Sequence, residues 1–245
     1  MTKVYKDDFE DVNKNPLLPQ HPYRMLMCGS SGCGKTNMLL NLLLHKDSPF
    51  SQVYLFYKCH QSKYDLLKGK FENTKKRADK SLIMVEGMPD DRLIGVLEKH
   101  IATPKIVILD DLLSESRHSK LLADLFTRVS HHMNTSIVAM HQSIFNDKIL
   151  RLNCEYMMLW NFPSDKSNAR ILFQQMEPMR WRQVYKAYED CIKQSHAWFL
   201  IDFKCHHKGK PHLKYRPNAW DEVLLFEDKD PEFGTEDDVV LPAEN

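Results

Sequence analysis

Eight consecutive residues carry the densest chemistry in this sequence: Gly29, Ser30, Ser31, Gly32, Cys33, Gly34, Lys35 and Thr36. Together they fit G-x-x-x-x-G-K-[ST] in full. Glycines let backbone N–H groups turn inward around phosphate oxygens without a Cβ in the way. A helix that opens at Lys35 adds the positive end of its dipole at the same point. In this pattern the lysine reaches the β- and γ-phosphates and Thr36 offers its hydroxyl to Mg²⁺. The stretch is therefore expected to cradle ATP with Mg²⁺. A glycine-rich turn with a purely structural purpose is the alternative. The context disfavours it, because the apolar run "RMLMC" precedes the loop and the helix-spaced "KTNMLLNLLLHK" follows.

Such a loop does not separate a kinase from a motor. A second signal is "IVILDD", which puts Asp110 and Asp111 at the carboxyl end of an apolar strand. In an open α/β sheet that end faces the ligand crevice. Asp110 is expected to hold Mg²⁺, and Asp111 to orient or deprotonate the attacking water. Aspartate is shorter than the glutamate that many motor ATPases place here. The pair could instead cap the following helix, and Glu115 is a weaker candidate for the base. A third signal is "SIVAMHQS", in which another apolar strand ends on Gln142, placed to report the γ-phosphate. A mobile arginine-rich lid, natural in a small-molecule kinase, has no counterpart.

Positioning these groups requires strands that end side by side. "RMLMC" (24–28), "QVYLFY" (52–57), "SLIMVEG" (81–87), "KIVILDD" (105–111), "TSIVAMHQ" (135–142) and "EYMMLWN" (155–161) read as strands. Helical spacing is expected at 35–46, 61–72, 90–101, 115–132, 164–176 and 179–195. "AWFLIDF" and "HLKYR" (197–216) read as a closing hairpin. Apolar strands alternating with helices imply an α/β fold, with a mostly parallel sheet covered on both faces and a C-terminal β addition. The expected organisation is an N-terminal arm at 1–21, an ATPase domain at 22–226 with the β addition at about 197–226, and an acidic, disordered tail at 227–245.

Composition sets the bounds. With 42% hydrophobic and 27% charged residues the chain is globular. No apolar run approaches the roughly 20 residues of a membrane span. The charged start "MTKVYKDDFEDVNKN" is not a secretory signal, and six cysteines without paired spacing suggest a reducing compartment. Residues 227–245 carry eight acids and one lysine, a net of −7 against +1 for the whole chain, so the body carries +8. A basic body suits a polyanionic partner, although a solvated surface with an acidic tail accounts for the charge equally well. "KGKFENTKKRADK" (68–80) and "HHKGKPHLKYR" (206–216) are the candidate tracks for DNA phosphates, and no base-reading module is recognisable.

The chain resembles the viral DNA-packaging ATPases of the FtsK/HerA superfamily: the poxvirus-type enzyme and its relatives in large DNA viruses, virophages and Polinton or adintovirus-like elements. The resemblance rests on "HPYRMLMCGSSGCGKT", "IVILDDLLSES", "HHMNTSIVAMHQSIF" and "LRLNCEYMMLWNFPSDKSNARIL" in family order, over roughly residues 20–176. "WFLIDF" and "LKYRPNAW" resemble the family's closing strands. It implies a RecA-like P-loop core in a ring homo-oligomer that moves double-stranded DNA into a capsid without reading its sequence. A capsid or portal protein is the implied partner. The implied location is inside the host cell, in the nucleus or a cytoplasmic assembly site, or in the virion, with no membrane partner and no secretion. Lys35, Thr36, Asp110, Asp111 and Gln142 fall on matching positions. One departure is clear. Where the family often shows Gly-Arg-His before the sensor strand, this chain has Ser130-His131-His132. An arginine acting on a neighbour's nucleotide would then have to be Arg128, Arg151 or Arg117.

Other readings remain open at this point. A mobile-element translocase or helicase without a capsid, a slow nucleotide-dependent switch, and a nucleoside or nucleotide kinase share the same loop. "CHHKGKPH" (Cys205, His206, His207, His212) invites a metal, but zinc sites favour paired spacings that it lacks. Cys33 invites a redox role, set against a loop position that tolerates many residues.

Overall fold

The computed structural model describes residues 18–73, 80–112, 120–145, 148–163, 166–204, 214–218 and 224. The strands are β1 (Arg24–Cys28), β2 (Gln52–Tyr57), β3 (Ser81–Glu86), β4 (Lys105–Asp110), β5 (Thr135–His141), β6 (Tyr156–Leu159), β7 (Phe199–Asp202) and β8 (Lys214–Pro217). The helices are α1 (Lys35–Leu44), α2 (Ser62–Asn73), α3 (Arg92–Lys99), α4 (Lys120–Asp124), α5 (Ser130–His132), α6 (Lys148–Asn153), α7 (Lys166–Met176) and α8 (Trp181–Cys191).

A strand that is apolar at nearly every position must be covered on both faces. β4 and β5 are buried at every residue and lie in the middle of one sheet of order β3-β2-β4-β5-β1-β6-β7-β8. The pairings from β3 to β6 are parallel, while β6–β7 and β7–β8 are antiparallel. Alternate residues face opposite layers. Leu26, Cys28, Val107, Leu109, Ile137 and Ala139 pack with α3, α4, α6, α7 and α8, while Met25, Met27, Ile106, Ile108, Val138 and Met140 pack with α1 and α2. The expected two-sided α/β sheet with an added β-hairpin is therefore the observed architecture.

The carboxyl ends of the central strands are level. Cys28 lies opposite His141 on one side and Leu159 on the other, and Asp110 lies opposite Met140 and Tyr57. β5 separates the strand that leads into the glycine loop from the strand that ends in aspartate.

Local details differ from the expected spans. The helix expected at 115–132 is described from Lys120 to His132, and its middle, Leu125–Val129, is a π-helical turn. Arg24 Nη1 donates to the Phe126 carbonyl at 2.7 Å, which competes with the helical ladder at that turn. α6 was not expected, because six residues with one buried position, Leu150, show no readable period. At the amino-terminal ends of the central strands, residues 18–21, the end of the expected arm, pack onto the fold. His21 is buried, its Nε2 2.7 Å from Asn134 Oδ1 and its Nδ1 2.6 Å from Ser136 Oγ. The rest of the expected arm and the acidic tail lie outside the described residues.

Candidate active site

The loop between β1 and α1 is shaped by what lies beneath it. A Cβ on Gly29 would sit 2.6 Å from Trp160 Cβ and 2.7 Å from Cys33 Sγ, so only glycine fits there. Gly34 has φ 111°, a left-handed conformation that turns the chain into α1. It caps α1 without any side-chain bond, so the first N–H groups of the helix remain available to an anion. Lys35 Nζ donates to the carbonyls of Gly29 at 2.6 Å and Ser30 at 2.9 Å, both within its own loop.

Ser31, Gly32, Gly34, Lys35 and Thr36 line a cleft of about 250 Å³ with Asp110, Asp111 and Gln142. Five separate stretches of sequence meet there, because β1, β4 and β5 end level, the segment that opens α2 leans over them and His196 closes the far side. Gly29, Ser30 and Cys33 form the back of the loop rather than the cleft wall, and Ser30 Oγ donates to the Asn161 carbonyl at 3.4 Å. A larger cleft of about 600 Å³ between α2 and β3 holds none of the groups expected to bind nucleotide, and is lined instead by Lys68 and Lys80 of the first basic stretch.

Asp110 is 6% exposed and accepts hydrogen bonds on Oδ2 from Tyr64 Oη and, at 2.9 Å, from Gln61 Nε2. Burial raises its pKa, the Tyr64 bond opposes that rise, and the neighbouring charge of Asp111 adds to it. Asp111 is exposed, with φ 56° and its N–H bonded to the Met140 carbonyl at 3.2 Å. Its Oδ2 accepts from Gln142 Nε2 at 2.9 Å. This left-handed backbone is tolerated by aspartate and is typical of functional sites. His141, buried just before Gln142, has its pKa lowered by burial, and secondarily by Lys35, to about 3. It stays neutral.

The donor set suits a hard cation. The Thr36 hydroxyl and the Asp110 carboxylate are bridged by a single amide, that of Gln61, and oxygen ligands with retained waters are what Mg²⁺ prefers. Phosphates would meet the N-terminus of α1 and Lys35. Among the described residues no group of three or more His, Cys, Asp or Glu could hold a metal by itself. Cys205, His206, His207 and His212 lie outside them, as do Glu115 and Arg117.

Neither of the other two arginines lines the cleft. Arg128 is 57% exposed at its side chain and 3.9 Å from Asp124. Arg151 donates to Gln175 Oε1 at 3.2 Å and stacks on Phe145. His131, in the departure from the family pattern, lies 3.6 Å from Glu155. In the second basic stretch Arg216 is only 6% exposed, so it is not a surface cation for DNA.

Sequence reasoning missed Gln61, Lys63 and His196, all of which line the cleft, and Tyr64, which holds Asp110 from behind. A signal for Gln61 existed: it follows β2, whose carboxyl end must face the same crevice as that of β4. His196 had no such signal. It sits in the turn before β7 with φ 62° and approaches Gly34 from the far side of the cleft.

A family model described as "Poxvirus A32 protein" matches residues 10–177, well over half the chain. No curated protein matches the sequence. Among solved structures, the DNA-packaging ATPase B204 from Sulfolobus Turreted Icosahedral Virus is 11% identical. That match covers 82% of this chain and 100% of the other, with a TM-score of 0.52. The genome packaging NTPase B204 from Sulfolobus turreted icosahedral virus 2, solved in complex with sulfate, is 12% identical over 81% of this chain and 97% of the other, with a TM-score of 0.50. At such identities these two matches speak for the fold alone.

Proposed function

The chain belongs to the Poxvirus A32 protein family, a family of viral packaging ATPases, and from that premise we propose that it drives double-stranded DNA into a viral capsid by hydrolysing Mg²⁺-ATP. The observation that carries the proposal is the cleft. Lys35, Thr36, Asp110, Asp111 and Gln142 come from three strand ends and line one wall-to-wall site.

In this reading the N–H groups of the loop and of the first turn of α1 hold the β- and γ-phosphates. Lys35 leaves the Gly29 and Ser30 carbonyls to neutralise phosphate charge. Thr36 and Asp110 would hold Mg²⁺, which when bound would supply charge neutralisation at the phosphate oxygens. Asp111 accepts a proton from the attacking water. Gln142, hydrogen-bonded to Asp111, ties the position of that base to the strand that faces the γ-phosphate. The exposed lysines 68 and 70 on α2 and the positive body suit a sequence-independent phosphate track. The chain works as a ring, docks on a capsid or portal protein, and acts inside the host cell or in the virion. Among the described residues no helix is long and apolar enough to cross a membrane.

Steady-state ATP hydrolysis with and without duplex DNA tests this. Duplexes of unrelated sequence should stimulate turnover alike, and Lys35→Ala should be inactive with both. Turnover indifferent to DNA would point to a slow switch, and phosphate transfer to a nucleoside would point to a kinase.

A further inference from the structure

Gln61 lies just before α2, and its backbone carbonyl accepts the Tyr64 N–H at 2.8 Å in the first turn. Its side chain reaches in two directions at once. Oε1 accepts from Thr36 Oγ1 at 3.1 Å, and Nε2 donates to Asp110 Oδ2 at 2.9 Å. A carboxylate only accepts, so the amide NH₂ must face Asp110. The amide oxygen must then face Thr36, which commits the threonine proton to Gln61 and leaves the hydroxyl lone pairs for another partner. Tyr64 Oη donates to the same Oδ2 of Asp110. Both donors fall on one oxygen, and Oδ1 accepts from no described residue.

We propose that Gln61 is the positioning residue of the metal site, an amide clamp that orients both oxygen ligands, Thr36 and Asp110, toward Mg²⁺, with Tyr64 as its second support. The assignment rests on the nucleotide reading of the loop. Ligands of a metal are themselves held by hydrogen bonds from behind, and loss of such a partner costs about 10–100-fold in metal affinity or activity. Thr36, in the first turn of α1, and Asp110, at the end of β4, share no direct bond in the structure. The clamp makes them one unit. It also ties the metal site to α2, on which Lys68 and Lys70 are exposed.

The test is equilibrium binding of a fluorescent, non-hydrolysable ATP analogue, titrated with Mg²⁺. For Gln61→Ala we expect affinity in EDTA close to that of the wild type, and a Mg²⁺ midpoint raised by about tenfold or more. Tyr64→Phe, which keeps the clamp, should shift the midpoint less. Circular dichroism melts check that both variants are folded. A wild-type Mg²⁺ midpoint in Gln61→Ala would overturn the assignment. So would an equal loss of affinity with and without Mg²⁺, which marks a general distortion. A wild-type protein that binds no nucleotide would bring down the reading of the loop, and this clamp with it.

Discussion

Asp111 and Asp110 are adjacent in sequence and opposite in environment. Asp110 is buried and hydrogen-bonded on one oxygen, whereas Asp111 is exposed and its carboxylate accepts a bond from Gln142. One suits a fixed ligand and the other a base that must reach water. Asp111→Asn keeps the shape and tolerates the same left-handed backbone, so it should bind nucleotide normally. Hydrolysis should slow by about 10²-fold or more, the scale of a lost general base. Single-turnover hydrolysis measured beside nucleotide affinity decides it. Wild-type turnover in Asp111→Asn, with Glu115→Gln inactive, would move the base to Glu115.

Among the elements, β5 has work at both ends. Its carboxyl end carries His141 and leads into Gln142, and its start receives the chain that enters β1. There His21 lies between Asn134 and Ser136, while the Tyr23 N–H donates to Ser136 Oγ at 3.1 Å. The Ser136 hydroxyl, accepting from Tyr23, donates to Nδ1, and Nε2–H donates to Asn134. His21 is thus held as the neutral tautomer. Burial is the main cause that lowers its pKa from 6.5 to about 4, with nearby Lys204 and Lys105 adding to the effect. Between those values the unfolded chain binds a proton that the folded chain refuses, so stability is complete above pH 6.5 and falls as pH drops toward 4. From pH 7 to pH 5 this site alone should remove on the order of 2 kcal/mol. His141, lowered to about 3, acts in the same direction. Urea midpoints across this range should flatten in His21→Gln. An unchanged slope in that variant would mean that other groups carry the acid sensitivity.

At the scale of the molecule, a ring motor needs a cation from one subunit at the γ-phosphate of the next, where charge develops during transfer. Of the two described candidates, Arg151 is engaged with Gln175 and Phe145, while Arg128 projects further into solvent. Arg128 is therefore the better placed to act on a neighbour. Arg128→Ala and Lys35→Ala proteins, each weakly active or inactive alone, should regain partial ATPase activity when mixed. Sites would form from an intact loop in one chain and an intact arginine in the other. Purely additive activity in every mixture, with a monomer by light scattering under ATP and DNA, would remove the ring from this account.

Local pattern determined a good deal of this protein. The spacing from Gly29 to Thr36 is itself a backbone shape, and the apolar runs that end in Asp110 and before Gln142 could only be buried strands, so the two-sided parallel sheet and most of the cleft were legible in the sequence. Those features are local: each depends on neighbours within one strand or one turn. The clamp is not local. Gln61 joins Thr36 and Asp110 across 25 and 49 residues, and which strand neighbours β4 decides that they meet. The approach of His196 to Gly34 likewise depends on how α8 and β7 close the far side of the cleft. The π-helical turn is set by Arg24 reaching the Phe126 carbonyl from another element. Contacts between segments follow from the order of strands and the packing of layers, and no window of sequence contains them.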